Sequence, residues 1–190
     1  MENSTGGRHR MSLQIFILGI LCEGHRHPYD IKKIFKRESL APEARITDGK
    51  LYYHFEALAK LGYVERVMVS REENRPERTM YGITEAGREA LVEMIYKNFR
   101  SFKDVTDLYP SVLFLHHASK ERVIGLMEDG IDELTRKMRR YEQILAEVVP
   151  PDHAEHPIVQ NAKILQEHTI HRIRGDLDWL LKVLDKVKAM

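Results

Sequence analysis

Residues 46–84, ITDGKLYYHFEALAKLGYVERVMVSREENRPERTMYGIT, constrain the fold more than any other stretch. Thr47 or Asp48 supplies the short oxygen-bearing side chain that caps the free amides of a helix's first turn. Leu51, Phe55, Leu58 and Leu61 then recur at spacings of four and three, which predicts a helix with one apolar stripe. Gly62 is the natural stop, because glycine takes the left-handed conformation that ends helices. Tyr63–Val69 predicts a strand, Arg71–Arg78 a polar loop and Thr79–Ile83 a second strand. Thr84 caps a further helix that begins TEAGREALVEMI. Helix, two-stranded wing and helix in this order form the back half of a winged helix-turn-helix, a module that binds DNA.

Upstream, the sequence supplies the front half. Residues 1–11 carry Gly, Ser and Thr without an apolar period and predict a disordered arm. Ser12 caps a first helix, LQIFILGILCEG, apolar nearly all round and therefore expected to be buried. Gly24 ends it. His27-Pro28 opens a second helix, with Tyr29, Ile31, Ile34 and Phe35 expected inward and Lys32, Lys33, Lys36 and Arg37 outward. Residues 39–46, broken by Pro42, lead to the third helix, Asp48–Leu61. In helix-turn-helix modules that helix lies in the major groove. Its DNA face is expected to be Thr47, Gly49 and Lys50, with Tyr52, Tyr53 and His54 one turn on. A helix N-terminus favours an anion, Gly49 lets the backbone come close, and Lys50 suits phosphate or guanine. Asp48 is an anion where anions are unwelcome, so it is read as a cap. In the loop, Arg71, Arg75 and Arg78 are candidate DNA contacts, although Glu72, Glu73 and Glu77 between them also suit a solvated loop.

Downstream the chain reads as helical. The Thr84 helix can run to about Lys103, with Tyr96, Phe99 and Phe102 among its apolar residues. Pro110 is a break, and Ser111–His117 predicts a short buried helix. Ser119 caps a long helix whose Ile124, Met127, Ile131, Leu134, Met138, Tyr141, Leu145 and Val148 follow each other at alternating gaps of three and four. Such a seam predicts antiparallel or coiled-coil packing. Pro150-Pro151 ends it, and Pro157 opens a last helix carrying Ile170, Ile173, Leu177, Leu180 and Leu184, which are expected at a dimer interface. Tyr96, Phe99 and Phe102, with Trp179, are candidates for an effector pocket, since such pockets favour domain junctions; they equally suit packing.

Charge and composition exclude other classes. The net charge is only +1, so a nucleic-acid reading must rest on local charge. Residues 26–80 hold 12 Lys/Arg against 9 Asp/Glu, whereas residues 96 onward hold 15 of each. The single cysteine, Cys22, lies in an apolar helix and reads as a small buried hydrophobe. Ten histidines raise the question of metal, but no HExxH motif and no cysteine pair supports a site, so none is expected. Glycine-rich phosphate loops and GxSxG are missing, which argues against an enzyme. The longest apolar run, near Leu13–Cys22, is too short to span a bilayer, and a cytoplasmic protein with no membrane partner is expected.

Three stretches, LGILCEGHRHPYDI (18–31), DGKLYYHFEALAKLGYVER (48–66) and RTMYGITEAGREAL (78–91), together resemble the PadR family of transcriptional regulators. Tyr29, Gly49, Leu51, Tyr52, Leu58, Gly62, Arg78, Tyr81, Thr84 and Gly87 sit on positions that match the family pattern. Pro28, Asp48 and Lys50 depart from it. The resemblance implies a homodimeric repressor that dimerises through its C-terminal helices and is released from DNA by a small molecule. The expected fold is mainly α: a disordered arm (1–11), a winged helix-turn-helix domain (12–103) and a C-terminal antiparallel long-helix dimerisation domain (104–190). The expected partners are double-stranded DNA with a palindromic operator, a second copy of the chain, and a small aromatic or amphipathic effector, with no cofactor. Two other readings stand beside it: a winged-helix regulator without a small ligand, and a helical dimer acting as a protein-interaction module.

Overall fold

The structure, a computed structural model, describes residues 4–37, 47–70, 78–147 and 156–190. The chain forms two compact units, Met1–Ser119 and Lys120–Met190. The first contains α1 (Ser4–Cys22), α2 (Pro28–Arg37), α3 (Asp48–Lys60), β1 (Val64–Ser70), β2 (Arg78–Ile83), α4 (Glu85–Ser101) and α5 (Tyr109–Leu113), with 3-10 turns at Val105–Leu108 and Leu115–His117. The second contains α6 (Lys120–Glu147) and α7 (Pro157–Ala189). The mainly helical winged-helix class expected from the sequence is the one found.

Helix α1 is the centre of the first unit. Every side chain from Leu13 to Leu21 is buried, as a helix apolar on all faces requires. Phe16 meets the Phe35 ring edge-on at 5.0 Å and lies 6.1 Å from Phe114. The helix begins at Ser4 rather than at Ser12. No proline separates the two serines, so the helix can extend back through residues 4–11 of the expected arm, although Gly6 and Gly7 are weak helix formers.

Thr47 is the cap of α3, and its hydroxyl accepts from the Lys50 amide at 3.3 Å. Leu51, Phe55 and Leu58 are buried along one face, and the Phe55 ring lies 4.7 Å from the Tyr81 ring of the wing, tilted at 48°. Gly62 ends α3 with φ +72°, donating to the Ala59 carbonyl at 3.0 Å. Strands β1 and β2 pair antiparallel from Val64↔Ile83 to Ser70↔Arg78, with a bulge between Arg66 and Met68. A third piece joins this hairpin: Arg26 and Tyr81 exchange backbone N–H···O bonds of 3.0 Å each. A pairing of one residue is too short to leave a period-2 pattern in the sequence.

The chain between α4 and α6 also belongs to the first unit, although the sequence places residues 104 onward with the C-terminal helices. Val105, Leu108 and Phe114 are buried in it. The buried Asn98 side chain of α4 donates to the Asp107 carbonyl and to Ser111 Oγ, at 2.8 Å each. Pro110 stands in the first turn of α5, where a missing N–H costs nothing, so it starts this helix instead of breaking the chain.

In the second unit α6 and α7 lie alongside each other. Ion pairs join Arg174 to Glu142 at 3.3 Å and Lys188 to Glu128 at 2.8 Å. Ile170, Ile173, Leu177, Leu180 and Leu184 are all buried within the single chain. The spacing that marks them as an apolar stripe holds equally for packing inside a chain and between chains. On α6, Val123 and Met127 are buried, while Ile131, Leu134, Met138 and Tyr141 stay half-buried. Val148 and the Pro150-Pro151 stop lie outside the described residues.

Candidate nucleic-acid interface

The first turns of α3 present an exposed polar face. Thr47, Gly49, Lys50, Tyr52 and Tyr53 are all exposed and share that end of the helix. Because Thr47 satisfies one of the first amides, the others remain at the surface with the positive end of the helix dipole. Lys50 adds a full positive charge there, and the two tyrosines add aromatic surface with a hydroxyl at its tip.

His54 does not join this face. It is only 7% exposed, and its ring stands edge-on to Tyr53 at 5.6 Å. Position 54 follows Leu51 by three and precedes Leu58 by four, which puts it on the buried stripe. That spacing was the available signal. Arg71 and Arg75 lie outside the described residues, and Arg78 begins β2.

Two residues of α2 also depart from the sequence expectation. Tyr29 is half-exposed rather than inward, with the Lys33 ammonium 4.7 Å from its ring centroid. Lys32, expected outward, lies mostly covered with its Nζ 2.6 Å from Asp48 Oδ1. His27, Tyr29, Asp48, Leu51 and Tyr52 line an open cleft of about 300 Å³ beside this pair. The Tyr29 amide donates to His27 Nδ1 at 3.1 Å.

The residues expected at an effector pocket are placed differently. Tyr96 and Phe99 are buried in the core of the first unit, and the Tyr96 hydroxyl accepts from the Ser119 amide at 2.8 Å. Phe102 is half-buried, and Trp179, also half-buried, belongs to the second unit. Among the described residues no three His, Cys, Asp or Glu side chains gather where they could hold a metal ion. No helix among them is long and apolar enough to cross a membrane.

A second polar group lies near the end of the first unit. Burial raises the Cys22 thiol above its ordinary pKa, against the pull of Arg88. The thiol is therefore a weak nucleophile, consistent with a packing role. Burial, then His116 and Arg88, hold the His117 imidazole below its ordinary value, with Glu23 opposing. His117 Nε2 is buried without a hydrogen-bond partner among the described residues. Its folded-state pKa is thus lower than in the unfolded chain, which takes up the proton first as pH falls. The stability contributed by neutral His117 is complete above about pH 6.5 and is lost as pH drops from there towards the folded-state value. The melting temperature is expected to fall between about pH 7.5 and about pH 5.5, and His117→Gln is expected to flatten that slope. Parallel slopes for the two proteins in calorimetric scans would contradict this assignment.

A winged helix with an exposed, capped third helix defines a class of DNA-binding regulator folds. Residues 17–93 match the model of the Transcriptional regulator PadR-like family. The match lies wholly within the first unit. Comparison with curated protein sequences yields no match. Among solved structures, the chain is similar to Bacillus subtilis PadR in complex with operator DNA, at 20% identity over 92% of this chain and 98% of that one, with a TM-score of 0.40. A transcriptional regulator from Clostridium thermocellum matches at 26% identity over 51% and 87%, with a TM-score of 0.41. Bacillus subtilis PadR in complex with p-coumaric acid matches at 19% identity over 93% and 99%, with a TM-score of 0.37.

Proposed function

We propose that this protein regulates transcription by binding double-stranded DNA as a homodimer, with α3 entering the major groove. The observation that carries the reading is the exposed face of Thr47, Gly49, Lys50, Tyr52 and Tyr53 on a capped helix inside a PadR-like unit. The hairpin adds contacts to a neighbouring groove or its phosphates, through Arg71, Arg75 or Arg78.

Support for the homodimer comes from the second unit. The α6 seam at Ile131, Leu134, Met138 and Tyr141 is only half-buried. Ile158, Ile164 and Leu165 of α7 are exposed. Apolar side chains in that number call for a partner, and a two-fold dimer reads a palindromic operator. The reading extends to a repressor released by a small aromatic or amphipathic molecule. That extension rests on the family resemblance, since Tyr96 and Phe99 are occupied with core packing.

The test is a mobility-shift titration with the duplex upstream of the protein's own gene, at two salt concentrations. Specific binding that weakens with salt is expected, because neutralised phosphates release counterions. Lys50→Ala is expected to weaken binding about tenfold and to leave the dimer intact. Unchanged affinity would remove Lys50 from the interface. A folded dimer that binds no duplex at low salt would favour the protein-interaction reading.

A further inference from the structure

Asp48 poses a problem for the interface just proposed. Its side chain is 63% exposed in the first turn of α3, beside Gly49 and Lys50, and it carries a negative charge towards an anionic duplex. An acidic residue here is well placed for the helix dipole but badly placed for phosphate. Thr47 already caps the helix, so the cap does not explain Asp48.

The structure supplies its counter-charge from another helix. Lys32, sixteen residues earlier on α2, reaches Asp48 Oδ1 at 2.6 Å and forms a hydrogen-bonded ion pair. Its side chain is only 17% exposed, so the stem is packed and the ammonium is directed at the carboxylate rather than at solvent. A lysine recruited to grip phosphate would show the opposite pattern, with an exposed ammonium on a mobile stem.

We propose that Lys32 is a positioning residue for DNA binding, holding and neutralising Asp48 so that the N-terminus of α3 can approach phosphate, without itself contacting DNA. The proposal rests on the DNA-binding reading above. With the pair intact, the turn presents Lys50 and the free amides with no net opposing charge. With Lys32 uncharged, the carboxylate of Asp48 faces the phosphates alone and is free to change rotamer towards them. The loss therefore comes from Asp48, and removing the charge of Asp48 cancels it.

This predicts a specific pattern in a double-mutant cycle. The variants are Lys32→Met, which keeps the apolar stem, Asp48→Asn, and the two combined in the full chain. The probe is a fluorescein-labelled duplex from upstream of the gene, read by anisotropy over a series of salt concentrations. Lys32→Met is expected to weaken binding about tenfold. Asp48→Asn is expected to bind as tightly as the wild type or about threefold tighter. The combined variant is expected to bind like Asp48→Asn, with an unchanged salt slope. A fold defect caused by Lys32→Met would not be repaired by Asp48→Asn, so this rescue separates electrostatics from packing.

Any of four results would overturn the assignment. If Lys32→Met costs the same in both backgrounds and lowers the salt slope by about one, Lys32 is itself a phosphate contact. If Asp48→Asn alone weakens binding more than about threefold, the carboxylate reads the duplex directly, as an acceptor for a cytosine amino group can. Wild-type protein that binds no duplex in a salt-dependent way removes the DNA reading and this assignment with it. Wild-type binding without the rescue removes only the assignment.

Discussion

Gly87→Ala is expected to lower the melting temperature of the first unit by roughly 10–20 °C, although alanine is the better helix former by about 1 kcal/mol. A Cβ at position 87 would lie 2.0 Å from the Tyr63 carbonyl oxygen and 2.8 Å from Ile83 Cγ1. The oxygen cannot step aside. It accepts the Thr84 amide at 3.0 Å, while the Tyr63 amide is itself bound to the Leu58 carbonyl at 2.9 Å. Thr84 adds a donation from its hydroxyl to the Gly62 carbonyl at 2.6 Å and accepts the Gly87 amide at 3.0 Å. The extra methyl must push α4 away from the turn joining α3 to β1 and break several of these bonds. Overpacking of this kind costs about 3 kcal/mol, more than the gain in helix propensity. Thermal unfolding followed by circular dichroism measures the shift, and an alanine variant as stable as the wild type would show that α4 does not sit this close to the turn.

Leu177→Asp combined with Leu180→Asp is expected to abolish the paired fold of α6 and α7. Both leucines are buried within one chain. Each loses about 2 kcal/mol of apolar burial, and an unpaired carboxylate in its place adds about 3 kcal/mol or more. The sum reaches the total stability of a typical domain, about 5–15 kcal/mol. Reduced helicity and aggregated or monomeric protein should follow. Leu165→Asp is the informative contrast, because Leu165 is 68% exposed. That variant should keep its helicity and lose the proposed dimer, which light scattering resolves. A well-folded double-aspartate protein would mean that this stripe does not hold the second unit together.

The contrast between these leucines shows where the sequence runs out. Periodicity finds an apolar stripe because helix geometry repeats every 3.6 residues, but it carries no information on what the stripe faces. Ile170 to Leu184 therefore read as a contact between chains and prove to be buried within one. Local features were legible. The Thr47 and Thr84 caps, the Gly62 stop and the hairpin all depend on neighbours a few residues apart. Features joining distant positions were not. The Lys32–Asp48 pair spans sixteen residues, and Asn98 reaches Asp107 and Ser111 from a run of aromatic residues that gave no hint of a buried amide. The burial of His54 is legible in the sequence, since its position three residues after Leu51 and four before Leu58 lies on the buried stripe. Gly87 was legible as part of the TEAG pattern, while the carbonyl lying against it was not.

Tyr81 joins three separate pieces of the first unit. Its backbone pairs with Arg26 just before α2, its ring packs on Phe55 of α3, and its strand lies between Arg26 and β1. The attachment to Arg26 uses only main-chain atoms, so side chains at that position can change without loosening it. Helix α3 and the wing strands are thus fixed to one another before any partner arrives. The ordering entropy of this surface is lost when the chain folds, not when it associates, which leaves the encounter itself close to a rigid-body docking event.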